Sequence, residues 1–319
     1  MPVGEFNLIR RFFSRPSPSA ILGVGDDAAL LSVTPGKALA VSTDMLVSGR
    51  HFFEDADPFL LGRKSLAVNI SDIAAMGARP RWATLSLALP IVNEGWLAAF
   101  SAGFYALADE YGVELIGGDT TQGPLNICVQ IMGEVDADRA LRRDGARAGD
   151  DVWLSGALGG AALALMHIQG KVSLSTEKFE NCARRLHNPM PRVALGLALS
   201  GIATSAIDIS DGLLADLGHI LERSMVGAEL RLSDIPCDEA LRANLDNAMY
   251  RQALLAGGDD YELCFSAPPT HAQAIAAIGA DLNLRLTPIG RIVSGSGLIV
   301  RDANNAAIVS DIKGFDHFN

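Results

Sequence analysis

The chain has 319 residues, 49% of them apolar, and carries 26 Lys plus Arg against 37 Asp plus Glu, for a formal net charge of −11. That length can bury one large core or two modest ones, and two domains are expected. The acidic balance excludes the uniform basic face that grips nucleic-acid phosphates, so a phosphate ligand would need divalent metals, backbone N–H groups and a few placed cations.

The N-terminal stretch MPVGEFNLIRRFFSRPSPSA has no apolar signal-peptide core. No later segment approaches the ~18 uninterrupted apolar residues of a membrane span, so a soluble, cytoplasmic enzyme is expected. Residues 38–43, 83–89 and 125–132 alternate as strands with one covered face. Between the first two lies a predicted helix over 58–76, with Asp57 as N-cap, Pro58 at its first position, Gly77 at its end and Pro80 beyond. Leu66, Ile70 and Ile73 should form its buried stripe, while Asn69, Asp72 and Met76 share another face. A second helix, 94–111, closes at Gly112. The charged stretch 136–150 then reads as a linker, which places the domains at 1–137 and 148–319. Beyond it, VWLSGALGGAALAL reads as strand, glycine turn and helix, and AIDIS (206–210) and ELCF (262–265) as short strands. The class is therefore mixed α and β, with no period of 20–50 residues to indicate a solenoid.

Cys128, Cys182, Cys237 and Cys264 form no C-x-x-C pair and have no His at ligand spacing, which fits reduced thiols rather than a zinc site or a disulfide framework. The six histidines show no H-E-x-x-H spacing, and neither a P-loop nor the H-R-D and D-F-G set of protein kinases is present. SGALGG at 155–160 lacks the full G-x-G-x-x-G and fits a helix start or an anion site equally well.

The chemistry is concentrated in aspartates beside small residues where strands or helices meet turns. They are Gly25-Asp26-Asp27, Ser42-Thr43-Asp44, Ser71-Asp72, Gly117-Gly118-Asp119-Thr120-Thr121, Asp208-Ile209-Ser210-Asp211-Gly212 and Gly257-Gly258-Asp259-Asp260. A short carboxylate at a strand end is held stiffly, as a hard oxygen-ligated cation requires. Taken singly, each motif is an ordinary turn or N-cap. Taken together, converging strand ends would gather carboxylates that need bound cations or raised pKa values. Asp72, near the C-terminal end of its helix, opposes the macrodipole, a conflict that a bound metal would remove.

The segments VGDDAAL, STDMLVSGRHF, AVNISDIAAMGARP, LIGGDTT, AIDISDGL and GGDDYELCF together resemble the thiamine-monophosphate kinase family. The resemblance runs in order from Gly4 to the final GFDHF. That family is grouped with aminoimidazole ribonucleotide synthetase, selenophosphate synthetase and a hydrogenase-maturation dehydratase. The resemblance implies an α/β, two-domain aminoimidazole ribonucleotide synthetase-like fold, with an N-terminal sheet that forms a dimer barrel and ATP in the cleft. It implies several Mg2+ ions held by Asp27, Asp44, Asp72, Asp119, Asp208 and Asp211, with oxygen atoms of Ser42 and Thr43 assisting; Asp44, Asp72 and Asp119 would carry catalysis. ATP would be met by Gly118, Asp119, Arg143 and Ser210, and thiamine monophosphate by His51, Asp259 and the ring of Phe315. The family usually has Glu where Asp259 stands, and often Asp where Gly160 stands.

Two other readings stand beside this one. Another ATP-using synthetase of the same superfamily would share metal and nucleotide, although a selenophosphate synthetase would need a reactive Cys in an N-terminal glycine-rich loop and the first Cys here is Cys128. A non-enzymatic metal- or nucleotide-binding module would be stabilised by Mg-ATP without turning it over.

Overall fold

The computed structural model describes residues 4–308, which divide into two compact units, 4–73 with 78–138 and 74–77 with 139–308. In chain order the helices are α1 (Glu5–Leu8), α2 (Pro58–Ala75), α3 (Glu94–Tyr111), α4 (Gly160–Ile168), α5 (Thr176–His187), α6 (Val193–Leu199), α7 (Leu213–Ser224), α8 (Glu239–Arg242), α9 (Ala248–Ala256) and α10 (Ala272–Asp281). The strands are β1 (Lys37–Val47), β2 (Arg79–Leu89), β3 (Glu114–Gln122), β4 (Asn126–Asp136), β5 (Asp151–Ser155), β6 (Ser205–Asp208), β7 (Gly227–Arg231), β8 (Leu263–Ala267), β9 (Leu286–Val293), β10 (Gly297–Arg301) and β11 (Ala307–Ile308). Among the described residues, no helix is long and apolar enough to cross a membrane.

The first unit is built on a four-stranded sheet ordered β1-β4-β2-β3, antiparallel except for the parallel β2–β3 pair. β1 is one edge of that sheet, and its outward row exposes Leu39, Val41, Thr43 and Met45. α2 has Leu66, Ile70 and Ile73 fully buried, as the spacing predicts. Its burial is wider than one stripe, because Ser65, Asn69 and Ser71 are also fully buried. α3 begins where the Asn93 side chain accepts the Trp96 N–H at 3.0 Å and ends at Gly112 in the left-handed conformation.

Reciprocal glycines bring α2 and α3 together. A Cβ on Gly62 would lie 2.1 Å from the Phe100 carbonyl oxygen, and one on Gly103 would lie 1.9 Å from that of Phe59. Residues 20–31 lie over the other face of the sheet, where Ala20, Ala29 and Leu31 pack on Trp82, Ile116 and Met132. Their start is tied down by Ser19, which donates to Glu114 at 2.7 Å and accepts the Trp82 indole N–H at 2.8 Å.

In the second unit the described strands form a sheet ordered β11-β10-β7-β9-β5-β8-β6, antiparallel except for β10–β7. One core cluster joins β5, β6, β7 and β9 to α7 through Val152, Leu154, Ile207, Leu217, Ile220, Leu230 and Ile289. A second, made by Ala161, Leu163, Ala164, Cys182, Leu186, Leu241 and Ala253, packs α4, α5, α8 and α9 on one another.

The glycine contact gives a stability test. Gly103→Ala forces a methyl group into the α2 backbone and should cost about 1–3 kcal/mol, read as a lower urea midpoint with an unchanged m-value. A midpoint equal to that of the wild type would mean the helices are not in this contact.

Candidate active site

In the first unit, β1 and α2 bring Ser42, Asp44, Asn69 and Asp72 together. The Ser42 hydroxyl donates to Asp72 Oδ2 at 2.5 Å, and the Asp44 N–H donates to Asn69 Oδ1 at 3.1 Å. Asn69 is locked in turn by its Nδ2 bond to the Ser65 carbonyl at 2.9 Å. The Ser42 hydroxyl gives Asp72 a donor at the unfavourable C-terminal end of its helix. His51 lies in the turn after β1 and accepts the Val47 N–H on Nδ1 at 2.9 Å, which assigns its proton to Nε2 in the neutral ring.

The remaining predicted residues of this unit do not join that group. Across the sheet, Asp44 shares a row with Val129, Leu85 and Gly118, whereas Asp119 shares one with Ser86, Cys128 and Met45. Side chains alternate along a strand, so Asp119 and the side chain of Thr43 are on the face opposite Ser42 and Asp44. β1 and β3 are also three strand spacings apart, about 14 Å along the sheet. Within this sheet, then, Asp119 and the Ser42–Asp44 pair lie on different faces. Among the described residues, no three His, Cys, Asp or Glu side chains are gathered as a metal cage.

Gly118 cannot be replaced without moving β2, since its φ is +148° and a Cβ would sit 1.8 Å from the Leu85 carbonyl oxygen. Asp119 Oδ1 accepts the Thr120 N–H at 2.9 Å. Asp27 is exposed in the loop after Gly25, with its N–H bonded to Asp26 Oδ1 at 2.9 Å.

In the second unit two loops meet. The Asp259 N–H donates to the Ser210 carbonyl (2.9 Å), the Tyr261 N–H to that of Ile209 (2.8 Å), and the Ile209 N–H to that of Glu262 (2.8 Å). These bonds bring Asp208, Ser210 and Asp211 beside Asp259, whose Oδ1 accepts the Tyr261 hydroxyl at 3.2 Å. Asp259 and Tyr261 both have positive φ, 68° and 50°, a strained arrangement for residues with side chains, held here by the facing loop. Arg143 is exposed in the 139–150 loop, where its carbonyl accepts the Ser224 hydroxyl at 2.7 Å. The neighbouring Arg142 carbonyl accepts from Ala206, two residues before Asp208. Phe315 lies outside the described residues.

Three acids that the motifs did not single out for a role shape these loops. Asp216 is 3% exposed, and its Oδ2 accepts the N–H groups of Ser210, Asp211 and Gly212 at 3.0, 3.1 and 3.0 Å. Burial pushes its carboxyl up to about 7, against the pull of those donors. Glu262 accepts from the Ser155 hydroxyl and from both Nε (2.7 Å) and NH2 (2.5 Å) of Arg192.

Asp260 Oδ2 accepts the Gly159 N–H at 2.6 Å. The Asp260 carboxyl therefore takes the first N–H at the start of α4, and SGALGG forms a helix start. At Gly160 a Cβ would meet Arg185 Cδ at 2.6 Å and Asp238 Oδ2 at 3.2 Å, so the Arg185–Asp238 ion pair takes the space of a side chain there. Position alone gave no signal for Asp216, which reads as a helix acid, whereas Asp260 and Glu262 sat within GGDDYEL.

The donors in the two groups, Ser42, Asp44 and Asp72 in one and Asp208, Ser210 and Asp211 in the other, are all oxygen, the donor set of a hard cation such as Mg2+. Magnesium is commonly held by one or two carboxylates plus substrate phosphates rather than by a closed protein cage, and groups of this size fit it.

Residues 25–135 match the family model described as AIR synthase related protein, N-terminal domain, and residues 147–303 match that of its C-terminal domain. The two matches, one to each unit, define a two-domain protein of the AIR-synthase-related class. The chain is 44% identical over 324 residues to the thiamine-monophosphate kinase of Salmonella typhimurium, covering 100% of this chain and 99% of that one. It is also similar to the crystal structure of thiamine-monophosphate kinase from Stenotrophomonas maltophilia K279a, with TM-score 0.84, 48% identity and coverage of 91% and 93% of the two chains. AaThiL, solved in complex with AMPPCP and TMP, matches with TM-score 0.78, 30% identity and coverage of 90% and 89%. The chain belongs to the thiamine-monophosphate kinase family.

Asp260 gives a pH test. Burial raises its carboxyl from the ordinary 3.8 to about 8, so folding takes up a proton in this window. Its contribution is fully present below about pH 4 and is lost as pH rises through about 8. Asp260→Asn cannot ionise, so its urea midpoint should rise relative to the wild type across that window; parallel profiles would show that Asp260 is not protonated on folding.

Proposed function

We propose that this chain carries out the reaction for which its family is named, moving the γ-phosphoryl group of ATP directly to the phosphate of thiamine monophosphate to give thiamine diphosphate and ADP. The reading is carried by the chain-long similarity to thiamine-monophosphate kinases. The oxygen-only groups at the ends of β1 and β6 support it. The acceptor phosphate, with a second pKa of about 6, is already nucleophilic near neutral pH, so no strong general base is needed. The obstacle is repulsion between two anions, and Mg2+, when bound, supplies charge neutralisation and in-line alignment.

In this reading Asp44, Asp72, Asp119, Asp27, Asp208 and Asp211, with oxygens of Ser42 and Thr43, hold the metal ions. Thr43 would contribute its backbone oxygen, since its side chain faces away from Ser42. Ser42 fixes the rotamer of Asp72 by a neutral hydrogen bond, and Asn69 fixes the strand at Asp44; neither partner discharges the acid it positions. Gly118, Asp119, Arg143 and Ser210 meet ATP. His51, its ring oriented by the Val47 N–H on Nδ1, meets the acceptor phosphate. Asp259 and Phe315 complete the thiamine side. Residues 1–137 and 148–319 are the two domains, and the enzyme works in the cytoplasm.

The working species is a homodimer closed through the first sheet into a barrel. An 11-residue edge strand that exposes Leu39, Val41 and Met45 invites pairing with another chain unless it is covered, and a second copy covers it.

The experiment is to incubate the purified protein with ATP, Mg2+ and thiamine monophosphate and to resolve thiamine phosphates by chromatography, with EDTA and acceptor-free controls. Thiamine diphosphate should form only when metal and both substrates are present. Asp72→Asn should lower turnover by at least about 100-fold with an unchanged melting temperature. Normal turnover by that variant at saturating Mg2+ would remove Asp72 from the metal site.

A further inference from the structure

We infer that Asp216 is a positioning residue for phosphoryl transfer: by filling a nest of three backbone N–H groups it turns the 210–212 loop from an anion cradle into a cation-facing one. The inference rests on the reading of that loop as part of the metal and nucleotide site.

Three successive N–H groups that converge on one point, in a glycine-containing turn at a strand end before a helix, ordinarily make a phosphate-binding concavity. Here Ser210, Asp211 and Gly212 converge in that way, between β6 and the 12-residue α7. The point of convergence is already taken by Asp216 Oδ2, from the first turn of the same helix.

The carbonyls on the other side are engaged too, with Ser210 O bonded to Asp259 N–H and Ile209 O to Tyr261 N–H. Gly212 is fixed by space, because its φ is +111° and a Cβ would lie 2.6 Å from the Ala256 backbone. With the three N–H groups and the Ile209 and Ser210 carbonyls engaged, it is through the side chains of Ser210 and Asp211 that the loop meets nucleotide and metal in this reading. The three N–H dipoles are taken up by the Asp216 carboxyl oxygen rather than turned toward a ligand, and Asp211 sits beside it. The loop therefore attracts a cation and repels a bare phosphate, so nucleotide reaches it only with its metal.

Asp216→Asn keeps an acceptor oxygen but removes the charge, and Asp216→Ala opens the nest. Thiamine diphosphate formation is measured for full-length wild type and both variants across a Mg2+ titration, with melting temperatures recorded in parallel. The Asn variant should need on the order of 10- to 100-fold more Mg2+ for half-maximal turnover, with KM for thiamine monophosphate within about twofold of wild type. Sodium formate, but not sodium chloride at equal ionic strength, should restore part of the lost activity of the Ala variant by refilling the nest.

Wild-type Mg2+ dependence in the folded Asn variant would overturn the inference. So would activity lost only in proportion to folded protein, since that marks a purely structural residue. If the Ala variant does not fold, the Asn titration decides. If wild type makes no thiamine diphosphate, the functional reading fails by itself, and the Mg2+ dependence of ATP-induced thermal stabilisation, compared between wild type and Asp216→Asn, still decides the role of Asp216.

Discussion

A buried backbone N–H group must find an acceptor, and around the second-unit loops that requirement is met by carboxylates. Asp216 takes three N–H groups of the 210–212 turn, Asp260 takes that of Gly159, and Glu262 takes the Ser155 hydroxyl and the Arg192 guanidinium. Only Glu262 has a guanidinium within bonding distance in these pairings, and burial pushes the other two acids upward as a result. Burying acids costs stability, and the left-handed backbones of Asp259 and Tyr261 add roughly 1–3 kcal/mol each. Such a cost is characteristic of sites where geometry matters more than stability, and the loops it shapes carry Asp208, Ser210, Asp211 and Asp259.

In the first unit a hydroxyl and an amide take part in positioning, Ser42 donating to Asp72 and Asn69 accepting the Asp44 N–H. A hydroxyl and an amide hold geometry without competing for charge. The register of the sheet then decides what can act together. Ser42 and Asp44 share one face with α2, while Asp119 faces the other way across about 14 Å of sheet. No single ion can touch both sets within this unit, which agrees with the proposal of several ions spread along a triphosphate.

Much of this was legible in the sequence because it is local. Asn93, Gly112, Asp57 and Pro58 mark their helix ends by capping chemistry, and α3 runs over the predicted 94–111. Strands at 38–43, 83–89 and 125–132 were visible by alternation, although β1, β2 and β4 run several residues longer. β3 was hidden because Gly117 and Gly118 interrupt the alternation and read as a turn, when Gly118 is there to let the chain approach Leu85. The order of the second sheet has no local signature, since β5 lies between β9 and β8, both more than 100 residues away. Asp216 was invisible for a different reason: an acid in the first turn of an amphipathic helix looks like a solvated one, and only the folded chain shows the three N–H groups curled around it. The side of the sheet on which Asp119 falls depends on the β2–β3 bulge, which no motif encodes.

The central claim is that the protein's carboxylates form incomplete cation sites that nucleotide phosphates complete. Mn2+ substituted for Mg2+ allows a direct test, because free Mn2+ is counted by its electron paramagnetic resonance signal. The account predicts weak Mn2+ uptake by the protein alone and a clear gain in bound Mn2+ when AMPPCP is added, beyond what the nucleotide binds by itself. Tight Mn2+ binding that is already complete without nucleotide, and unchanged by it, would contradict the account.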